Sequence, residues 1–403
     1  MEKAKGNALG ETWYQLPKSK KCELIKQIVQ IEAKLAAFAF PEHGCIYYTK
    51  DLPLKYRPKS QTALQGDDTN KFCIGPVVDP GLWSDGRSNL PLSRGPWHAL
   101  TDYARSIGTN GRAWALQHAQ PRINYFRSNT DREMPHEYLD LIDKYLEVVP
   151  RLTRHKPEIA DLLQPTVWHH DLYLNNIYVD AASDEVTHII DWQGVKVAPL
   201  ILQARIPRMV RHSSPVPLGV IMPERPDDYE NLPEADKLRA DKLYESAICH
   251  KLYEVFSIKQ NPRHYAAICH NDTWQTPHIK PIKSINEAWS NREVFTIRSS
   301  LMGVVDHWSE LSPGSPCPIS FSEDEKQAHN EEIDNRDYLD QLIEVYQNAG
   351  ILPADGVVDP EDYDILHESS YLQKEKFLSL AEDDEQREWL NKIWPYQDRP
   401  VDA

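Results

Sequence analysis

The chain has 403 residues, of which 40% are apolar and 26% are charged, a balance typical of a folded globular protein. Acidic residues outnumber basic residues by 61 to 45, which gives a formal net charge of -16. Because nucleic-acid binding requires a basic surface, this charge argues against a nucleic-acid partner. It does not exclude a phosphorylated ligand, since one lysine, a helix N-terminus or Mg²⁺ can supply positive charge locally.

The six cysteines are scattered without a C-x-x-C pair, which predicts reduced core thiols and an intracellular protein. The chain contains no run of eighteen apolar residues, so we expect no membrane span. Its first residues, MEKAKGNALGETWYQL, contain acidic side chains and no arginine, a composition that is typical of neither a signal peptide nor a transit peptide.

The first part of the chain is predicted to combine helices with an irregular insertion. After Pro17, Leu24, Ile25 and Ile28 recur at three- and four-residue steps and predict an amphipathic helix. Residues 41–95 are rich in Pro and Gly, with the strand-like pieces CIYY and FCIGPVV, and are predicted to be a loop-rich insertion. The sequence GTNG at 108–111 is interpreted as a loop, and a second helix is predicted over 135–149.

The remainder is predicted to be a small β element followed by helices. Residues 166–194 contain the strand-like pieces TVW, NNIYVD and THIIDW, with the turn AASDE before the last. Residues 213–233 are predicted to form an exposed loop, and 232–403 to be mostly helical. A capping box at 322–325 opens a helix that is expected to end near Gly350, and an amphipathic segment covers 360–394. The predicted fold class is therefore α+β.

The stretch WHHDLYLNNIYVD places His169, Asp171 and Asn176 in the order H-x-D-x-x-x-x-N. This spacing matches the catalytic loop of kinase-type phosphotransferases, in which the Asp accepts the proton of the substrate hydroxyl and the Asn binds a metal ion. Phosphoryl transfer holds the acceptor oxygen in line with the γ-phosphate, so the carboxylate and the metal-binding amide lie on opposite sides of the site. Asp191, 20 residues after Asp171 in HIIDWQG, occupies the position of the Asp in D-F-G.

Two other interpretations of this motif are open. A His–Asp pair of this kind is often structural, because H-x-D-x-x-x-x-N alone is a weak signal. A zinc site from His169, His170 and Asp171 is conceivable, although no partner lies at a ligand spacing. The combination of the loop, two strands, a turn and an Asp followed by an aromatic residue favours the kinase-like pair of loops.

HHDLYLNNIYVD and HIIDWQG resemble the motifs of the aminoglycoside phosphotransferase family, a branch of the protein-kinase-like fold. FCIGPVVDPGLW, LSRGPW, IIDWQGVKVAPLILQARIPRMV and WLNKIWPYQD resemble fungal mitochondrial members of that family, almost from end to end. The resemblance implies Asp171 as the catalytic base, His169 as a scaffold residue of the catalytic loop, and Asn176 and Asp191 as Mg²⁺ ligands. It also implies ATP as donor, an unknown hydroxyl acceptor and a mitochondrial location, with the cytoplasm as the alternative. Asn175 stands where many relatives have Gly.

The chain contains neither G-x-G-x-x-G nor a strand lysine followed by a Glu-bearing helix, the parts that hold ATP in a kinase. Residues 1–10 resemble the hinge between the two lobes, so residues 1–403 are predicted to form the large lobe alone. The chain is then either a fragment of a complete phosphotransferase or a pseudokinase or scaffold without nucleotide binding. We expect this chain to bind Mg·ATP weakly or not at all.

Overall fold

The computed structural model describes residues 3–57, 71–124, 126–127, 132–154, 157–212, 216–217, 219–272, 277–348, 363–381 and 383–394. These residues form many helices and a few short strands, as expected for the predicted α+β class. The chain divides into two compact units, the first formed by Met1–Gly111 and Val148–Asn286 and the second by Arg112–Glu147 and Glu287–Ala403.

The strands are short, and every pairing is antiparallel. The strands are β1 (Asn7–Ala8), β2 (Cys45–Tyr48), β3 (Phe72–Gly75), β4 (Arg122–Ile123), β5 (Arg132–Glu133), β6 (Pro165–Val167), β7 (Ile177–Val179), β8 (Val186–Ile189) and β9 (Val197–Pro199). The described strands form a three-stranded sheet in the order β1-β7-β8 and the two-stranded pairs β2-β3, β4-β5 and β6-β9. The predicted strands between 166 and 194 are therefore confirmed as β6, β7 and β8.

The helices account for most of the described structure. They are α1 (Lys18–Ala36), α2 (Pro80–Trp83), α3 (Leu100–His118), α4 (Pro135–Leu152), α5 (Leu200–Gln203), α6 (Glu234–Gln260), α7 (Pro262–Asp272), α8 (Lys280–Ser284), α9 (Val294–Asp306), α10 (Trp308–Leu311), α11 (Glu323–Asn348), α12 (Tyr363–Leu378) and α13 (Asp384–Ile393). The helices predicted after Pro17 and over 135–149 are confirmed as α1 and α4. The amphipathic segment 360–394 contains two helices, because Asp383 accepts a hydrogen bond from the Gln386 amide and starts α13.

The predicted loop at 108–111 is wrong, because these residues lie inside α3. Ala104 and Ile107 are buried one turn apart on this helix. The buried Asn110 side chain accepts a 3.0 Å hydrogen bond from the Ser93 amide and donates a 2.7 Å bond to the Ser93 carbonyl. Such packing offsets the roughly 1 kcal/mol by which each interior glycine disfavours a helix. Neighbours in space, rather than the local composition, decide the conformation here.

The capping box predicted before α11 is confirmed by two reciprocal hydrogen bonds. The Ser322 amide donates to Glu325 Oε2 over 2.7 Å, and the Glu325 amide donates to Ser322 Oγ over 3.1 Å. The helix is described as far as Asn348, so its predicted end at Gly350 lies outside the described residues.

The predicted loop-rich character of 41–95 is also confirmed. Apart from β2, β3 and α2, the described part of this segment has only two short 3₁₀ turns. The two strands pair in register from Cys45 with Gly75 to Tyr48 with Phe72. The described residues of the predicted loop 213–233 form neither an α-helix nor a strand.

The first unit has its apolar core around the sheet that carries the polar motif. Leu24, Ile25 and Ile28 on one face of α1 belong to the same buried cluster as Trp168 and Ile177. Leu172 and Leu174, in the segment between β6 and β7, belong to the same cluster, so the apolar core anchors this segment. In the second unit a separate cluster joins three helices: Leu339, Phe377, Leu378, Leu390, Ile393 and Trp394.

Two predictions from composition can be compared with the structure. Across the described ranges, no helix has both the length and the apolar character that a membrane span needs. All six cysteines are free thiols, but only Cys45, Cys73 and Cys249 are buried, so the predicted core position is wrong for Cys22, Cys269 and Cys317.

Candidate functional site

The catalytic-loop motif lies between β6 and β7 and is anchored by apolar side chains. Trp168, Leu172 and Leu174 are buried, and the loop ends in a short 3₁₀ turn that leads into β7. Asp171 lies among these anchors, yet 36% of its side chain is exposed. The alternation of anchors and polar residues therefore presents this carboxylate at the surface on a fixed backbone.

His169 connects this loop to the segment that carries Asp191. The ring is buried, with Nε2 2.9 Å from the Ile190 carbonyl oxygen and Nδ1 3.3 Å from the amide of Asp171. Because Nδ1 accepts from an N–H, the ring proton is assigned to Nε2, which donates to the carbonyl. The Trp192 ring packs edge-on against the imidazole at 4.8 Å. This geometry fits a positioning role for His169.

Asn176 is held from two directions at the start of the hairpin. Its Nδ2 donates to the Asp171 carbonyl over 3.0 Å, and its own carbonyl accepts from the Ile190 amide over 2.9 Å. The pairing of Ile177 with Ile189 then places Asn176 and Ile190 opposite each other, with Asp191 next in the chain. Since Nδ2 is occupied, Asn176 Oδ1 is the amide atom available to a ligand.

Asp191 has an unusual backbone conformation. Its φ is 60°, in the left-handed region that disfavours most side chains, although Asp is among the residues that tolerate it best. The side chain is exposed and forms no hydrogen bond or ion pair with any residue that the structure describes. A carboxylate that is held in an unfavourable backbone conformation and has no described protein partner is a candidate ligand for a cation.

The oxygen atoms of Asp171, Asn176 and Asp191 are the ligand type that Mg²⁺ prefers, and Mg²⁺ sites often use one or two protein ligands completed by phosphates and water. The donor set therefore fits Mg²⁺. In the described parts of the chain, no three His, Cys, Asp or Glu side chains are grouped to hold a metal ion by themselves. The zinc alternative at 169–171 is disfavoured, because both ring nitrogens of His169 are engaged by the backbone.

Two arginines next to the loop were not assigned from the sequence. Arg208 Nη1 lies 3.5 Å from Asp171 Oδ1, and its guanidinium is 5.8 Å from the centre of the Tyr173 ring. Arg205 donates a hydrogen bond to the His170 carbonyl through Nη2. The repeat R-x-x-R-x-x-R at 205–211 is the signal that could have identified them.

A cavity of about 470 Å³ lies beside the loop in the same unit. The residues that line it come from the catalytic loop, the segment after Asp191, α5, α8 and the start of α2: Val78, Asp79, Pro80, Trp168, His170, Gly194, Lys196, Leu202, Gln203, Ala204, Arg205 and Lys283. Burial lowers the pKa of His170, and Arg205 lowers it further, so this ring is neutral near pH 7. Lys196 Nζ lies 2.9 Å from Asp79 Oδ2.

Residues 100–202 match the model of the phosphotransferase enzyme family. The matched range contains all four predicted site residues, and the predicted resemblance is confirmed.

The chain is 26% identical to a subtelomeric hrmA-associated cluster protein of Aspergillus fumigatus, over 99% of this chain and 82% of that protein. It is 23% identical to altered inheritance of mitochondria protein 9, mitochondrial, of Lachancea thermotolerans, over 81% of this chain and 54% of that protein. The protein of the same name from Saccharomyces cerevisiae is 23% identical over 88% of this chain and 58% of its own length. The chain thus spans little more than half the length of these mitochondrial relatives. No solved structure matches it significantly.

Proposed function

We propose that this protein is a kinase-like phosphotransferase that moves the γ-phosphoryl group of ATP to a hydroxyl of an acceptor. The observation that carries the proposal is the position of Ile190. Its amide binds the Asn176 carbonyl and its carbonyl binds His169, so one residue ties the Asp171 loop to the backbone of Asp191. In this proposal the described helices and hairpin serve as the large lobe of a kinase-like fold. The match to the phosphotransferase family model supports it.

Asp171 is the proposed base. Its exposed carboxylate takes the hydroxyl proton of the acceptor while the acceptor oxygen forms a bond to the γ-phosphorus, and the bond from that phosphorus to the β–γ bridging oxygen breaks to release ADP. Arg208 Nη1 lies 3.5 Å from this carboxylate and pairs with it in the absence of substrate.

Asn176 and Asp191 are the proposed Mg²⁺ ligands, through the free amide oxygen of one and the unpartnered carboxylate of the other. When bound, Mg²⁺ neutralises charge on the β- and γ-phosphates. The protein's own contribution is to hold the two oxygen ligands at the ends of adjacent hydrogen-bonded strands, so that little movement is needed on binding.

A mitochondrial location is part of the proposal and is supported by the names of the yeast relatives, each of which is called mitochondrial. A tagged copy of this protein, imaged together with a mitochondrial marker in a fungal cell, tests it. Tagged protein that stays in the cytoplasm would contradict this part alone.

The catalytic proposal is tested by measuring Mg²⁺-dependent ADP release from ATP by this chain and by its Asp171→Asn variant, at an ATP concentration high enough to offset the weak Mg·ATP binding expected from the sequence. General-base catalysis contributes roughly 10²- to 10⁴-fold, so the variant is expected to lose at least a hundredfold in rate while keeping its thermal unfolding temperature. Asp102→Asn, which makes the same change at an exposed residue of α3, is the matched control and keeps the wild-type rate.

An Asp171→Asn variant as active as the wild type contradicts the assignment of the base. A wild-type chain that releases no ADP with Mg²⁺ and shows no saturable ATP binding by calorimetry favours the non-catalytic scaffold instead.

A further inference from the structure

The cavity beside the catalytic loop is basic in a chain that is acidic as a whole. Three of its lining residues are cationic, Lys196, Arg205 and Lys283, against the single carboxylate of Asp79. The formal charge of the lining is therefore 3 - 1 = +2, whereas the chain carries -16. A positive pocket on an acidic protein concentrates anions locally.

Lys196 and Asp79 compensate each other, so the excess charge belongs to the other side chains. Burial by itself would lower the pKa of Lys196, but Tyr103 and Asp79 raise it, so the amine stays charged. Lys196 in turn lowers the pKa of Asp79 against the effect of burial. The salt bridge is a fixed element of the wall, and Arg205 is the lining cation without a described ion-pair partner that can attract a ligand.

The excess of positive charge continues from the cavity towards the proposed base as a row of three arginines. Arg205, Arg208 and Arg211 are spaced three residues apart after α5, and all three are exposed. Burial lowers the pKa of Arg205, and the charge of Arg211 lowers it further, which shows that the two guanidiniums repel each other. Among described residues, the carboxylate within ion-pair distance of this row is Asp171, and it reaches Arg208.

The cavity and the proposed base are adjacent along the chain. His170, which lines the cavity, directly precedes Asp171, and its carbonyl holds Arg205 in place. Gly194, on the opposite segment, follows Asp191 by three residues, and its backbone is in the left-handed conformation with φ of 73°. The volume of about 470 Å³ lies within the roughly 300–1,000 Å³ of small-molecule pockets.

We infer that this cavity binds the phosphate-accepting substrate and that the substrate is a small anion, a hydroxyl compound that carries a phosphate or carboxylate group. Arg205 contacts the anionic group, and Arg211 strengthens the positive potential at the mouth of the cavity. The hydroxyl of the same molecule extends along the loop to Asp171. A cationic acceptor is disfavoured, because the cavity lining is cationic and its single carboxylate, Asp79, is already paired with Lys196. The identification of the ligand as the phosphate acceptor rests on the proposed function, whereas the inference that the cavity binds an anion does not.

Calorimetric titration of the full chain with inorganic phosphate and, separately, with citrate tests the binding step and distinguishes the two kinds of anionic group. At least one anion is expected to bind saturably. The double variant Arg205→Gln with Arg211→Gln is expected to weaken that binding by at least tenfold. Arg105→Gln is the matched control, because it removes the same charge from an exposed arginine that does not line the cavity.

No saturable binding of either anion, or binding that is equal in the double variant and the wild type, would overturn the inference. If the double variant fails to fold, Arg205→Gln alone replaces it and must weaken binding of the same anion while Arg105→Gln does not. The two proposals separate cleanly. Anion binding without Asp171-dependent ADP release leaves the cavity assignment standing and removes the phosphotransferase, whereas Asp171-dependent release without anion binding does the reverse.

Discussion

Two buried carboxyl groups, one in each unit, are treated in opposite ways by their surroundings. Glu332 in α11 is 0% exposed, and its oxygens lie 3.0 Å from Arg298 Nη1, 3.3 Å from Arg336 Nη2 and 2.9 Å from Asn124 Nδ2. Glu32 in α1 is 2% exposed, and its described partner is the Tyr253 hydroxyl at 2.5 Å. Burial raises the pKa of Glu32 to about 8. One carboxyl is buried as an ion with its counterions, and the other as a neutral acid.

This contrast separates the charges that stabilise the fold from those that can contact a ligand. In the second unit the buried cations and anions satisfy one another, which makes them part of the structure. The first unit also buries an ion pair, Lys251 with Glu254, but the segments around the catalytic loop place Asp171, Asp191 and three arginines nearer the surface. Asp171 pairs with Arg208, whereas Asp191, Arg205 and Arg211 have no counterion within ion-pair distance among the described residues, so these three charges are available for a ligand.

We expect the greatest loss of stability when Glu332 is removed from its group of buried counterions. Glu332→Ala leaves the buried Arg298 with the more distant Glu133, 3.9 Å from its Nη2, as its remaining described counterion, and breaking a buried pair typically costs about 3–5 kcal/mol in the free energy of unfolding. Guanidinium denaturation followed by circular dichroism measures it. Glu331→Ala, at the exposed neighbouring position of the same helix, is the control and should change the free energy by less than about 0.5 kcal/mol. Equal effects of the two variants would show that the ion pairs contribute nothing.

An effect of similar size is expected at Glu32, and it depends on pH. Because the folded pKa lies above the ordinary value of 4.5, the contribution of this group to stability is fully present below pH 4.5 and is lost as the pH rises to about 8. Glu32→Gln mimics the neutral acid and removes that loss. Relative to the wild type, the variant should therefore gain on the order of a few kcal/mol between pH 5 and pH 9, since each pKa unit corresponds to about 1.4 kcal/mol.

Denaturation of both proteins at pH 5, 7 and 9 measures this gain. Glu23→Gln, on the exposed side of α1, is the control and should follow the wild type at every pH. Parallel pH profiles for Glu32→Gln and the wild type would mean that Glu32 is ionised in the folded protein.

The change in stability is expected to be least at Asp191, where substitutions affect stability and ligand binding differently. Asp191→Gly relieves the left-handed backbone and should stabilise the fold by about 1 kcal/mol or less, while Asp191→Asn keeps the side chain in that conformation and leaves stability nearly unchanged. Both variants lose the carboxylate, so both should lose Mg²⁺-dependent ADP release. If the glycine variant is destabilised, the backbone at 191 is not strained. If either variant keeps its Mg²⁺ dependence, Asp191 is not a ligand.

Much of the candidate site could be predicted because its parts are close in sequence. His169, Asp171 and Asn176 lie on one loop, and the hairpin that brings Asp191 to them has a short local turn at 181–185. The basic half of the site could not be predicted in the same way. Lys196 meets Asp79 across 117 residues, and no periodicity in either segment indicates the pairing.

The same distinction applies to the fold. The periodicity of α1 and α4 and the capping box of α11 are local signals that can be recognised in the sequence, because hydrogen bonds and apolar faces within a few residues of one another suffice to form a helix. Three other features depend on contacts between distant parts of the chain: GTNG lies within a helix, Glu32 is neutral through burial near Tyr253, 221 residues away, and a basic cavity adjoins the catalytic loop. Burial and electrostatic environment are properties of neighbours in space, and folding assembles those neighbours from distant parts of the chain.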